Sequence, residues 1–172
     1  MNETSDRSLA ANITIDELHQ LPLTHQTTIP EDYLDMMGHM NVMWYTHLFG
    51  RGIDGIFNLL GFNLDYYEAN QAGSFAIKQY VNYWNEVRVG EHVSIRTRLL
   101  GRSAKRLHLM HFMVKEGNGA LAANSEVLLT HIDMRVRRSS PFLSPVSEAI
   151  DRLLAEHTAL SWSAPLAGPI HP

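Results

Sequence analysis

The chain contains no cysteine, which removes disulfide bonds, a thiolate nucleophile and thiolate metal ligands together. It has no excess of positive charge either. Fourteen Lys and Arg stand against 18 Asp and Glu, a net charge of −4, so nucleic-acid binding is not expected and an anionic ligand needs a local basic patch. No apolar run is long enough to cross a bilayer, and residues 1–11 are polar and acidic rather than a basic segment leading into an apolar core. The expectation is therefore a cytoplasmic protein with no membrane partner. Also absent are G-x-S-x-G, a P-loop, G-x-G-x-x-G and H-E-x-x-H, which withdraws support from a serine elbow, the usual nucleotide-phosphate loops and a zinc helix. Ten histidines are present, but without metal-ligand spacing: His108 and His111 in one strand point to opposite faces. A metal site is not expected.

What is present is ordinary in amount and specific in arrangement. A chain of 172 residues, 45% hydrophobic and 19% charged, suits a single domain with a sizeable core. Its organising stretch is residues 29–61. A polar, Met-rich loop runs into a helical pattern with Asn41 at the N-cap position. Apolar residues recur at Val42, Tyr45, Phe49, Ile53, Ile56, Phe57 and Leu60, and His47, Arg51, Asp54 and Asn58 fall on the other side. Gly50, Gly52 and Gly55 lie inside it, each costing a helix about 1 kcal/mol relative to Ala, so close packing against the helix backbone is expected. Asp35 stands a few residues before this helix, near enough for its carboxylate to share the region of the first-turn N–H groups. Two roles stay open for it on the residues alone: a turn or capping residue, or a base or nucleophile kept ionised beside a site where the helix amides receive an oxyanion.

In chain order, residues 1–10 have no periodicity and are expected to be mobile. Thr14 and Glu17 have capping-box spacing for a short helix ended by Pro22, and residues 23–29 read as a strand. After the central helix, residues 62–73 read as a polar and aromatic connection. Residues 74–84, 91–100, 107–115 and 120–133 then alternate as four strands, the last two joined by Gly117-Asn118-Gly119. An antiparallel sheet of this kind needs its apolar face covered, and the central helix is the long amphipathic element available. The reading is α+β, a curved sheet wrapped around one helix. Ser144 as N-cap with Pro145 following opens a second helix, and residues 161–172 form an extended strap or disordered tail. The expected division is an N-terminal arm over 1–22, one domain over 23–158 and a tail over 159–172.

Two basic clusters stand out. No acidic residue occurs from His92 to Lys115, and the turn carrying Arg102, Ser103, Lys105 and Arg106 concentrates charge beside a hydroxyl, a composition that holds phosphates or simply solvates a hairpin. Arg135, Arg137 and Arg138 form the second. Trp44, Tyr66, Tyr67, Tyr80, Tyr83 and Trp84 are candidates for a pocket wall.

The run Asp35-Met-Met-Gly38-His39-Met-Asn41-Val-Met-Trp-Tyr45 resembles the D-x-x-G-H-x-N-x-x-x-Y signature of the 4-hydroxybenzoyl-CoA thioesterase family, whose fold is the hotdog. The likeness in layout extends over about residues 24–157. It implies an acyl-CoA thioesterase that needs no cofactor, with Asp35 as the catalytic carboxylate and the main-chain amides near Val42 and Met43 polarising the thioester carbonyl. Gly38, His39, Asn41, Trp44 and Tyr45 would contact substrate or organise the loop, His39 chiefly by supporting Asp35. The family often carries a second Asn where this chain has Val42, so no side-chain role is implied there. A related lineage of the same fold places its acid on the helix, which makes Asp54 the rival carboxylate. The resemblance also assigns Arg102, Ser103, Lys105 and Arg106 to the phosphates of coenzyme A and implies a homodimer or homotetramer. Two alternatives remain: a hydratase or dehydratase of the same fold, whose G-D-x-N-P-x-H pattern is missing, and a non-enzymatic acyl-CoA binding module.

Overall fold

Thr14 opens the first helix, α1 (Ile15–His19). Its hydroxyl accepts from the Glu17 N–H while the Glu17 carboxylate accepts from the Thr14 N–H, the reciprocal cap its spacing predicts. The computed structural model describes residues 13–168 and 170–172, so the expectation for residues 1–10 lies outside it. Strand β1 (Leu23–Thr28) and a 3₁₀ turn (Glu31–Tyr33) lead to the 18-residue helix α2 (Val42–Leu59). Then follow α3 (Leu64–Asn70), β2 (Ala72–Tyr83), β3 (His92–Arg102), β4 (Arg106–Lys115), β5 (Ala120–Asp133), the short β6 (Arg138–Ser139) and α4 (Val146–Thr158). The strands form one antiparallel sheet in the order β1-β3-β4-β5-β2, with β6 added on β5. This is the α+β hotdog architecture, and α2 lies on its inner face. No described helix is long and apolar enough to cross a membrane.

The inner core divides along α2. Near its N-terminus Tyr45, Leu48 and Phe49 pack with Val87, Ile95 and Met113. Near its C-terminus Ile56, Phe57 and Leu60 pack with Leu99, Leu107 and Leu129. Between them runs a polar row. The Thr24 hydroxyl donates to the Ile95 carbonyl (3.0 Å) and lies 2.7 Å from the Thr97 hydroxyl, which lies 2.8 Å from His111 Nδ1. Because Thr24 spends its proton on Ile95, Thr97 donates to Thr24 and the proton between Thr97 and His111 belongs to Nδ1. Burial pushes the His111 pKa down to about 3, so the ring is neutral.

Gly55 sets how closely α2 meets this sheet. A Cβ there would lie 1.8 Å from the Thr24 carbonyl oxygen, and one at Gly52 would lie 2.7 Å from Ile95 Cγ2. The expected backbone approach therefore holds for these two glycines. It does not hold for Gly50, whose added Cβ would meet nothing within 4 Å, because that position faces away from the sheet.

The outer face is covered too. Leu18 of α1, Leu21 just beyond it and Trp162 of the tail pack on Met110, Phe112 and Val114, so the tail is a strap. Arg98, on the face of β3 opposite Ile95 and Leu99, is only 8% exposed. Its guanidinium donates to the carbonyls of Trp162 (2.8 Å) and His157 (3.0 Å) and lies 4.2 Å from the Trp162 ring centre. Two local expectations are corrected. Residues 64–70 are helical rather than irregular, capped by the Asn63 side chain. The last helix begins after Pro145, which occupies the cap position, and the Ser144 hydroxyl bonds the Glu148 carboxylate instead of a helix amide. Strand β2 pairs only with β5 among the described residues and exposes Phe75, Ile77, Tyr80 and Tyr83.

Candidate active site

Between Leu34 and Met40, which bridge as an antiparallel pair, the chain makes a tight loop. The Gly38 N–H donates to the Asp35 carbonyl (3.1 Å) and the Asp35 N–H to the His39 carbonyl (3.0 Å). Gly38 has φ +80, the left-handed region in which glycine carries no Cβ penalty. Asp35 Oδ1 accepts the Met37 N–H at 2.8 Å, the local turn that short acidic side chains make. Its Oδ2 is 3.6 Å from His39 Nδ1, a charge contact longer than a hydrogen bond. One carboxylate oxygen is thus fixed by the main chain and the other stays available. The Met40 N–H donates to the Val87 carbonyl (2.7 Å) and the Asn41 N–H to the Tyr33 carbonyl (2.9 Å), which seats the loop on the segment after β2.

Asn41 caps α2 by accepting the Met43 N–H through its side chain at 3.0 Å, and its carbonyl accepts the Trp44 N–H at 2.9 Å. The Val42 N–H finds no acceptor among the described residues. It is the unspent donor at the positive end of the helix dipole. Asp35, His39, Met40, Asn41, Val42 and Tyr45 line one cavity of about 400 Å³ together with Tyr83, Trp84, Asn85 and Glu86, a volume suited to a small group. Tyr45 and Tyr83 meet edge to face at 88°, ring centres 5.1 Å apart. Burial pushes the Tyr45 pKa up to about 12, only partly offset by a hydrogen bond to the Val87 backbone, so the hydroxyl is protonated at neutral pH.

A family model described as the thioesterase-like superfamily matches residues 29–152, a span that contains this loop, helix and sheet. The chain belongs to the thioesterase-like superfamily. It is therefore a thioester hydrolase. Among curated relatives, the betainyl-CoA thioesterase of Pseudomonas aeruginosa is 30% identical over 143 residues, covering 83% of this chain and 90% of that protein. The L-carnitine dehydrogenase/betainyl-CoA thioesterase of Agrobacterium fabrum is 28% identical over 132 residues, and the match spans 27% of that longer protein. Among solved structures, a Staphylococcus aureus protein in complex with CoA superposes with a TM-score of 0.79 at 24% identity, over 88% of this chain and 96% of that one. At that identity the likeness speaks for the fold.

Within this thioesterase the residues singled out in the sequence do not all converge. Asp35, His39, Asn41, Val42 and Tyr45 line the cavity. Met43 is beside it with its N–H spent, and Gly38 shapes the loop from outside. Trp44 lies flat on Tyr33, ring centres 3.7 Å apart and 7° between planes, and is not a lining residue. Of the other aromatic candidates Tyr83 and Trp84 reach the cavity, whereas Tyr66 and Tyr67 pack on Phe62 in the cluster at the C-terminal end of α2. Asn85 and Glu86 escaped sequence reasoning, because nothing in a strand's trailing residues signals that the chain turns back over a helix N-terminus. Asp54 pairs with Arg51 at 3.0 Å on the exposed side of α2, away from the cavity.

The basic turn lies elsewhere. Arg102 to Arg106 joins β3 to β4 next to Leu99 and Leu107, which pack on the C-terminal end of α2. Asp35 precedes the other end, about 27 Å away along an 18-residue helix. Arg102 is committed locally, to the Ser147 hydroxyl (2.9 Å) and to Asp151 (3.1 Å). Ser103 closes the turn by accepting the Arg106 N–H (3.2 Å), and Lys105 and Arg106 are exposed. Through His131 and Phe142, whose N–H groups donate to the carbonyls of Lys105 and Ala104, the turn sits beside the segment that carries Arg135, Arg137 and Arg138. The two basic clusters of the sequence thus share one end of the molecule.

Proposed function

We propose that this chain hydrolyses acyl-CoA thioesters, with Asp35 as nucleophile or general base and the Val42 N–H as the donor to the carbonyl oxygen. The observation that carries the reading is the cavity in which a carboxylate with one uncommitted oxygen and a helix-terminal N–H without an acceptor are both lining groups. A carbonyl polarised by the Val42 amide takes attack either from Asp35 itself or from a water that gives its proton to Asp35. Negative charge then gathers on the oxygen, where one preorganised donor is worth about 3 kcal/mol in other enzymes. Collapse breaks the carbon–sulfur bond. On the water route the leaving sulfur takes up the proton that Asp35 accepted, giving free acid and coenzyme thiol. On the direct route the acyl group stays on Asp35 as an anhydride that water then hydrolyses, supplying the proton for the thiolate. Asn41 fixes the helix end, and His39 steadies Asp35 at 3.6 Å.

The coenzyme's phosphates fit the basic end, with Lys105 and Arg106 as the free cations and Arg102 and Ser103 as the frame of their turn. One chain holds these groups and Asp35 at opposite ends, and the outer edge of β2, which pairs with no strand among the described residues, offers a geometry that unites them. A second copy pairing antiparallel along that edge lays the start of one β2 beside the end of the other. Ala72, at the start, is opposite Asp133 near the basic cluster, and Tyr83, at the end, lines the cavity. The working enzyme is then a homodimer, or a tetramer of two such pairs, over residues 23–158 with arms at 1–22 and 159–172. The Pseudomonas relative's name puts betainyl-CoA among the substrates to try first.

Release of free thiol from a panel of acyl-CoA esters tests the reading. Turnover by the unmodified protein that falls at least ~10²-fold in Asp35→Asn supports it. Tight binding with no thiol released from any ester would make the chain a binding module, and normal turnover by Asp35→Asn would move the chemistry elsewhere.

A further inference from the structure

The cavity that holds Asp35 is lined by two carboxylates, Asp35 and Glu86, and by no Lys or Arg. Part of its wall is aromatic. Tyr45 and Tyr83 stand at right angles, 5.1 Å between centres, so the ring planes close two sides of one corner. The nearby cations are already in ion pairs, one of them with Glu86 itself. Arg88 pairs with Glu86 Oε1 at 2.5 Å from the solvent side, both side chains more than half exposed, and Lys115 pairs with Glu91 at 2.8 Å while donating to the Glu86 carbonyl. A neutral aliphatic or aromatic acyl group needs no carboxylate beside its pocket, and an anionic one would be repelled by two. A quaternary ammonium, by contrast, is attracted by the quadrupole of tyrosine rings and by nearby carboxylates, and makes no hydrogen bonds that the wall must satisfy.

Resting on the hydrolase reading above, we infer that this site selects a short acyl chain ending in a quaternary ammonium, with Tyr45, Tyr83 and Glu86 as the residues that read the positive charge. At about 400 Å³ the cavity suits a trimethylammonium on a two- to four-carbon chain. Glu86 acts over distance on the charge, and its pairing with Arg88 limits that share. The tyrosine faces act by contact.

The test uses two thioesters of one shape: trimethylglycyl-CoA and 3,3-dimethylbutanoyl-CoA, in which a carbon replaces the charged nitrogen. Each kcat/KM is divided by that ester's rate of hydroxide hydrolysis, which removes the intrinsic activation by the ammonium. The unmodified protein is expected to favour the cation about 2- to 30-fold, the range of one aromatic-cation contact. Tyr83→Leu and Glu86→Gln each lower that ratio, and Tyr83→Phe, which keeps the ring face, restores it. Equal normalised rates, or a ratio that survives Tyr83→Leu and Glu86→Gln unchanged, overturn the inference even if both esters are hydrolysed. If neither ester turns over, calorimetric titration of the unmodified protein with both separates the two claims. Tighter binding of the cation upholds selection while the hydrolase reading fails, and equal or absent binding overturns selection as well.

Discussion

Adding one methyl group at Gly55 is expected to lift α2 off the sheet. A Cβ there falls 1.8 Å from the Thr24 carbonyl oxygen, and ordinary contact begins near 3.4 Å, so helix and β1 must separate by roughly 1.6 Å or distort by as much. The blocking atom is main chain, in a residue at the irregularity between Leu23 and His25 whose hydroxyl is tied to Ile95 and Thr97, and it cannot swing aside as a side chain can. Phe49 and Ile56, both fully buried, lose contact with the sheet if the helix moves. Overpacking of this kind costs about 1–3 kcal/mol and sometimes more, against about 1 kcal/mol gained from alanine's better helix propensity. Gly50→Ala is the matched control, since its Cβ meets nothing within 4 Å and it collects the propensity gain alone.

Urea denaturation of the two variants decides it. Gly55→Ala should lose about 2 kcal/mol and Gly50→Ala gain about 0.5–1 kcal/mol; in a scan of Tm the first falls by about 4–8 °C and the second rises slightly. Because α2 carries the Val42 amide at its head, Gly55→Ala should also lower kcat where folded protein remains. A Gly55→Ala protein as stable as the parent would refute the reasoning. Loss of stability in Gly50→Ala would mean that the outer side of α2 is covered in the assembled protein.

Asp35→Asn should fold with unchanged Tm and retain CoA binding, because its Oδ1 contact to Met37 survives the change, while kcat drops at least ~10²-fold; Asp54→Asn should leave turnover unchanged, and the reverse pattern would assign the chemistry to the helix. Replacing Lys105 and Arg106 by Ala should raise KM for acyl-CoA and flatten its salt dependence without affecting a truncated thioester that lacks the nucleotide; equal losses on both substrates would give the turn another role. Acid should destabilise the fold. His111 and His157 have folded pKa values of about 3 and about 4, both lowered chiefly by burial from 6.5, so their stabilising effect is complete above pH 6.5 and is lost as pH falls through the window below it. At pH 5 each costs about 2 kcal/mol, and equal unfolding free energies at pH 7 and pH 5 would contradict it.

How far this molecule could be read from its residues depends on the range of the interaction that fixes each part. The Thr14 cap, the extents of β3 and β5 and the periodicity of Val42–Leu59 are local, and they appear in the structure to within a few residues. Helix α3 was missed because seven residues give too short a period to register against their turn-like composition. The burial of Arg98 was not legible for a different reason: alternation separates the two faces of a strand but cannot tell that Trp162, 64 residues later, will cover the outer one. The site divides along the same line. Asp35, His39, Asn41 and Val42 lie within one short stretch and could be found together, whereas Glu86 enters through a crossing of chain over helix that no local pattern announces. The distance between Asp35 and the Arg102–Arg106 turn extends the argument to the assembly. Sequence treated both as parts of one site, and within one chain the length of α2 keeps them apart. On the proposed reading, one acyl-CoA reaches both groups only where a second chain brings its basic turn to the cavity. The 18-residue helix, held to the sheet at Gly52 and Gly55, keeps the two ends apart within one chain, and antiparallel contact of two copies along β2 is the arrangement proposed above to join them.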